Sequence, residues 1–165
     1  MIELRTPAEI NEMKAAGEFV ASVLTATQAA SKVGTNLLQI DALAHSMIRE
    51  RGAESCYIDY HPSFGASPFG KVICTSVNDA ALHGLPHDYT LKDGDLVSLD
   101  FAVSVDGWVA DSAITFAVGT PRDEDLKLMD ATSRALDAGI AAAIVGNRIG
   151  AISAAIGDVA YGAGY

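Results

Sequence analysis

Apolar residues recur at steps of three and four along the opening of the chain, at Ile10, Met13, Val20 and Leu24, with Gly17 in the same series. That period predicts a helix with one buried stripe, expected over 7–32. Thr6-Pro7-Ala8-Glu9 marks its start as a capping box with proline in the first turn, and Gly34 marks its stop. A second helix is predicted over 37–51, with Leu37, Ile40, Leu43, Ala44 and Met47 on one face and Gly52 at its end. From Ser55 to Val77 the composition turns β-prone but is broken by Pro62, Gly65, Pro68 and Gly70, which predicts two strands around a loop. Residues 78–95 read as a connection containing His83-Gly84-Leu85-Pro86. A third helix is expected to open at Thr120-Pro121-Arg122-Asp123 and run to about Val145, and a fourth to cover 148–161.

Between Gly94 and Ala117 the pattern changes to strict alternation, in two runs joined at Asp106-Gly107. Asp-Gly between alternating apolar runs is a strong signal for a two-residue hairpin. With these two residues as the loop, Asp100 faces Ala113 and Asp111 faces Ala102. Both aspartates then point to the same side of the sheet as diagonal neighbours, with Cα atoms roughly 7–8 Å apart. The opposite side carries Val97, Leu99, Phe101, Val103, Val105, Trp108, Ala110, Ile114 and Phe116, broken by Ser112. Two aspartates on the outer face of a hairpin are commonly solvated surface. Yet aspartate is disfavoured within strands, and Ser98, Ala102, Ser104, Ala113 and Thr115 beside them include no lysine or arginine. A bound cation is the alternative partner, and the hairpin alone leaves both readings open.

The chain also repeats itself at a spacing of 112 residues. Thr6-Pro7 recurs as Thr120-Pro121, Val33-Gly34 as Val145-Gly146, Ile40 as Ile152, Ala42 as Ala154 and Gly52 as Gly164. These matches fall at helix starts and stops in the same order. The first copy continues into strands, whereas the second reaches Tyr165 where its strands are due, so the chain reads as cut.

Composition narrows the class. Of 165 residues, half are hydrophobic and 19% charged, which fits one domain with a core and argues against disorder. A net charge of −10 argues against nucleic acid or an anionic membrane as partner. Two cysteines, Cys56 and Cys74, form no disulfide framework, the N-terminus has no signal-peptide core, and the apolar run at 138–145 is too short to span a bilayer. A cytoplasmic protein is expected. His45 and His87 read as surface residues and His61 as structural. Cys56 and Cys74 read as buried hydrophobes, and Asp79, Asp88, Asp93 and Asp95 as turn residues; Tyr57, Tyr60, Phe64 and Phe69 offer a substrate pocket, though aromatic residues on strands are core by default.

Several stretches together resemble the type I methionine aminopeptidases. They are Leu4-Arg5-Thr6-Pro7-Ala8-Glu9-Ile10 with Met13 and Ala16-Gly17, Cys74-Thr75-Ser76-Val77-Asn78-Asp79, His83-Gly84-Leu85-Pro86, the run from Leu91 to Asp100, and Asp106-Gly107-Trp108 with Asp111. The resemblance implies an α+β pita-bread (creatinase/aminopeptidase-like) fold. Residues 1–117 would be its first pseudo-symmetric half and 118–165 the helices opening the second. It implies two divalent metal ions (Co, Mn, Fe or Zn), with Asp100 and Asp111 as two of five ligands. The other ligands, a histidine and two glutamates, have no counterpart here, so the chain alone is expected to be inactive and to expose a sheet edge. His83 would contact the substrate and steady the charge that develops in the reaction. Tyr60, Phe64 and Cys74 would line the pocket for the methionine side chain. The implied substrates are N-terminal methionine peptides of nascent proteins, with the ribosome as a further contact and a monomer when full length. Two other readings compete. One is a non-catalytic peptide-binding module of the same fold. The other is another pita-bread enzyme, such as a proline-specific aminopeptidase or a creatinase, disfavoured because those carry a domain before this fold.

Overall fold

The structure, a computed structural model, describes residues 3–61, 63, 65 and 67–165. By internal contact the chain divides into two compact units, Met1–Thr120 and Pro121–Tyr165. In the first, α1 (Pro7–Ala30) and α2 (Leu37–Arg51) lead into four strands, β1 (Glu54–Ser55), β2 (Cys74–Val77), β3 (Leu96–Val105) and β4 (Trp108–Ala117). The capping box is present in full: Thr6 accepts from the Glu9 N–H while Glu9 accepts from the Thr6 N–H. Asn36 and Gln39 form the same reciprocal cap on α2, which ends at Gly52 in the left-handed region (φ 66°).

All four strands run antiparallel around β3, with β4 along one edge and β1 and β2 sharing the other. Helix α1 packs on β3 and β4. Val20, Val23 and Leu24 of α1, Leu37 and Ile40 of α2, and Val97, Leu99, Phe101 and Val103 of β3 form one buried cluster. Phe19 meets Phe101 edge-on at 6.5 Å. Each large apolar side chain enclosed this way contributes about 1.5–3 kcal/mol, so the α1–sheet contact fixes which face of the hairpin is core.

The long connection before β3 is pinned at Asp95, which is 5% exposed. Its carboxylate accepts from the Tyr89 hydroxyl (2.9 Å), Asn78 Nδ2 (2.9 Å) and the Lys92 N–H (2.8 Å). Burial pushes this carboxyl up, but the hydrogen bonds outweigh it and hold it below the ordinary aspartate value.

The second unit is the helix pair α3 (Asp123–Ala142) and α4 (Ile149–Gly162). The expected opening at Thr120-Pro121 is corrected here. The N-cap is Arg122, with no side-chain cap bond, and Thr120 is tied instead to the turn before β3, its N–H donating to Asp93 Oδ1 at 2.7 Å. The helix–helix connections nevertheless repeat bond for bond. Thr35 Oγ1 donates to the Ala30 carbonyl and Asn147 Nδ2 to that of Ala142, both at 2.9 Å. The Thr35 N–H donates to Lys32 O and the Asn147 N–H to Ile144 O, and Gly34 and Gly146 have φ of 93° and 92°. These side-chain caps also explain why α1 and α3 stop at Ala30 and Ala142, short of the expected 32 and 145.

Candidate functional site

The register of the hairpin decides where the aspartates go. Asp106 (φ 52°) and Gly107 (φ 84°) form a two-residue turn with both residues left-handed, the geometry that matches strand twist. Val105 therefore pairs with Trp108, Asp100 with Ala113 and Asp111 with Ala102. Both carboxylates lie on the face away from the core. Among the described residues neither pairs with a lysine or arginine. Burial, then the charge of Asp100, push the Asp111 carboxyl above its ordinary value, and His83 pulls it back. A pair of like charges so placed is an electrostatic deficit that a cation removes.

The other edge of β3 frames this face. Cys74 pairs with Asp100, and the Cys56 N–H donates to the Ala102 carbonyl at 3.4 Å. Burial first, then Asp100 and Asp111, push the Cys74 thiol up to about 12, so at neutral pH it is a packed thiol and not a nucleophile. Cys56 is raised for the same reasons, burial first and then Asp111 and Glu54. The Tyr57 hydroxyl donates to Asp100 Oδ1 at 2.9 Å. Burial and this bond push the phenol well above its ordinary value, which keeps it a proton donor.

His83 stands beside the free edge of β2 in a left-handed conformation (φ 54°). Its neighbour Gly84 accepts from the Thr75 N–H (2.7 Å) and donates to Ser76 Oγ (3.0 Å). A Cβ at Gly84 would strike the Thr75 carbonyl oxygen and lie 2.8 Å from Ser76 Cα, so only glycine lets the segment lie this close. The His83 side chain is exposed and close enough to Asp111 to lower that carboxyl. Of the expected pocket residues, Cys74 is on the acidic face, Tyr60 is 59% exposed, and Phe64 lies outside the described residues. The tyrosine that reaches the site is Tyr57. The sequence offers Tyr57 only as one of four aromatic residues for a pocket or the core, and nothing in it points to Asp100. A separate cavity of about 540 Å³, lined by residues including Thr75, Asn78, Gly84 and Tyr89, contains neither aspartate.

The donor set suits a hard or borderline divalent cation: carboxylate oxygens, unneutralised, on one face. It also falls short of a closed site, since no group of three His, Cys, Asp or Glu among the described residues could hold a metal ion. The residues therefore fit part of a metal centre.

Compared with known proteins, residues 11–165 match the model of metallopeptidase family M24. The chain belongs to that family. This M24 chain is 44% identical over 157 residues to methionine aminopeptidase 1 of Mycobacterium tuberculosis, covering 94% of the chain and 57% of that protein. It is 36% identical over 160 residues to methionine aminopeptidase of Aquifex aeolicus, covering 96% of the chain and 62% of the relative. The crystal structure of methionine aminopeptidase from Rickettsia prowazekii superposes with a TM-score of 0.91 at 31% identity, over 98% of this chain and 63% of that one. The chain thus spans about three-fifths of the length of these relatives. The α+β pita-bread fold implied by the sequence motifs is the fold found, and membership of a metallopeptidase family implies divalent metal cofactors.

Proposed function

We propose that this M24 chain serves a methionine aminopeptidase, a hydrolase that removes the N-terminal methionine from peptides and nascent proteins with two divalent ions. The observation that carries the proposal is the placement of Asp100 and Asp111 on one face, beside Tyr57 and His83 and, among the described residues, without a lysine or arginine partner. When bound, divalent cations would supply Lewis-acid polarisation of the scissile carbonyl. The chain's own residues supply the rest of what it can do. Asp100 and Asp111 present negative oxygens from a rigid hairpin, where register leaves little freedom. Tyr57 donates to one of those oxygens and removes part of the repulsion. His83, exposed beside the acidic face, donates a hydrogen bond to the oxyanion that forms at the attacked carbonyl. Cys74, Tyr60 and Phe64 are assigned to the methionine side-chain pocket. The 112-residue repeat supports residues 1–117 as the first pseudo-symmetric half and 118–165 as the helices of the second. A cytoplasmic location, a ribosome contact and a monomeric state belong to the same proposal. Among the described residues no helix is long and apolar enough to cross a membrane.

The test is release of methionine from a Met-Ala-Ser peptide by the full-length protein that carries these residues, with Mn, Co, Fe or Zn. Activity should vanish with a chelator, with Asp111→Asn, and on an N-acetylated peptide. His83→Ala should lower kcat by about 10²–10³-fold while metal content stays the same, and an unchanged kcat would remove its role. The competing reading is a module of the same fold that binds the peptide without cutting it, disfavoured by the presence of Asp100, Asp111 and His83 together. Peptide binding with no methionine release under any of the four metals would establish that reading.

A further inference from the structure

Tyr57 is held more firmly than a tyrosine that merely fills space. As the chain leaves β1, Ser55 Oγ accepts from the N–H groups of both Tyr57 and Ile58, each at 3.2 Å. The returning chain fastens the same turn: the Phe69 N–H donates to Tyr60 O at 2.9 Å and the Gly70 N–H to Ile58 O at 3.1 Å. Phe69 then meets the Tyr57 ring edge-on, with centroids 5.8 Å apart and planes at 71°. Backbone and ring are both fixed before the hydroxyl is placed. The hydroxyl is placed on Asp100 Oδ1, 43 residues away in sequence, at 2.9 Å.

A half-buried tyrosine needs an acceptor for its hydroxyl, and backbone carbonyls usually serve. Here the acceptor is one of two neighbouring carboxylates that lack a basic partner among the described residues. A donor to one carboxylate oxygen fixes the rotation of the group about its Cβ–Cγ bond and draws off negative charge. The second oxygen, Oδ2, is left with a defined direction. Outer partners of this type commonly govern how well a ligand holds an ion.

We propose that Tyr57 is a positioning residue for Asp100, a preset clamp that presents this carboxylate to a divalent cation in one orientation. The proposal rests on the reading of Asp100 and Asp111 as a cation site. Ser55 and Phe69 belong to the clamp at one remove, Ser55 by fixing the turn and Phe69 by fixing the ring.

The experiment measures Mn²⁺ affinity of the purified protein by electron paramagnetic resonance of the free ion, for the native protein, Tyr57→Phe and Asp111→Asn. Tyr57→Phe keeps the ring and its contact with Phe69 and deletes only the donor. It should weaken Mn²⁺ binding by about 10–100-fold while the thermal midpoint of the metal-free protein moves by no more than a few degrees. The visible spectrum of the Co²⁺-loaded variant should differ from native at saturating metal, which a purely structural role would not produce. Mn²⁺ binding within twofold of native, or tighter, would overturn the proposal and leave Tyr57 as a packing residue. Unchanged binding in Asp111→Asn as well would instead remove the cation site on which it rests. Were Tyr57→Phe to fold poorly, Ser55→Ala supplies the second arm. It leaves the phenol in place but frees the turn, and it should weaken binding severalfold; no change there would also count against the clamp.

Discussion

Replacing Gly84 with alanine tests how tightly the His83 segment is seated against β2. Gly84 is not in the left-handed region, so alanine there meets no backbone penalty, only a steric one. The added Cβ would overlap the Thr75 carbonyl oxygen and come within 2.8 Å of Ser76 Cα, both parts of the strand backbone that no rotamer change can move aside. Two responses are open. The segment can stay and shift, at the overpacking cost of about 1–3 kcal/mol. Alternatively it can peel away, losing the Thr75 N–H···O Gly84 and Gly84 N–H···Oγ Ser76 bonds, each worth about 0.5–1.5 kcal/mol. The two routes cost about the same. Alanine returns about 0.4–1 kcal/mol by restricting the unfolded chain, so the net loss is roughly 1–2 kcal/mol. Urea denaturation should show the midpoint falling by about 0.5–1 M with an unchanged slope. Amide exchange at Thr75 distinguishes the routes, since peeling exposes its N–H and shifting does not. A midpoint within 0.2 M of native would refute the claimed contact. Gly107→Ala is the contrasting control: nothing lies within 4 Å of its Cβ, so any loss there comes from its φ of 84° alone.

Asp111 gives a pH prediction whose sign follows from its raised carboxyl. The folded, metal-free protein holds this proton more tightly than the unfolded chain. Its contribution to stability is therefore present at low pH and is lost as pH rises from the unfolded value near 3.8 through the folded one. Asp111→Asn should flatten that decline and make the metal-free protein more stable than native at pH 7, read from urea midpoints across pH; a less stable variant at pH 7 contradicts it. Metal should reverse the order, since a divalent ion at 100 times its Kd stabilises the native protein by about 2.7 kcal/mol. Thr75 Oγ1 is buried with no hydrogen-bond partner among the described residues. Thr75→Val keeps the shape and removes the unpaired group, so it should hold or raise stability by up to about 1 kcal/mol in the same assay; a loss beyond 1 kcal/mol would reveal a partner.

The local elements were legible because their causes are local. Thr6 and Glu9 cap α1 three residues apart, Gly52 closes α2, and Asp106-Gly107 sets a turn whose two-residue length fixes the partner of every residue in β3 and β4. The placement of Asp100 and Asp111 on one face was therefore readable from the letters alone, because side chains alternate with period two. The start of α3 was not: Arg122 takes the N-cap position without a side-chain cap bond, while Thr120 is tied through its N–H to Asp93, 27 positions back.

What the chain order determined by itself was thus the helices, the hairpin register, the repeat of 112 and the shared face of two aspartates. Tertiary structure decided which groups meet that face. Tyr57 reaches Asp100 across 43 residues, Cys74 stands opposite it, and Gly84 brings His83 to the edge of β2. Those meetings depend on how β1 and β2 divide one edge of β3 and on where the loop between them returns. No short-range period records that choice, because it is made by packing between segments far apart in sequence.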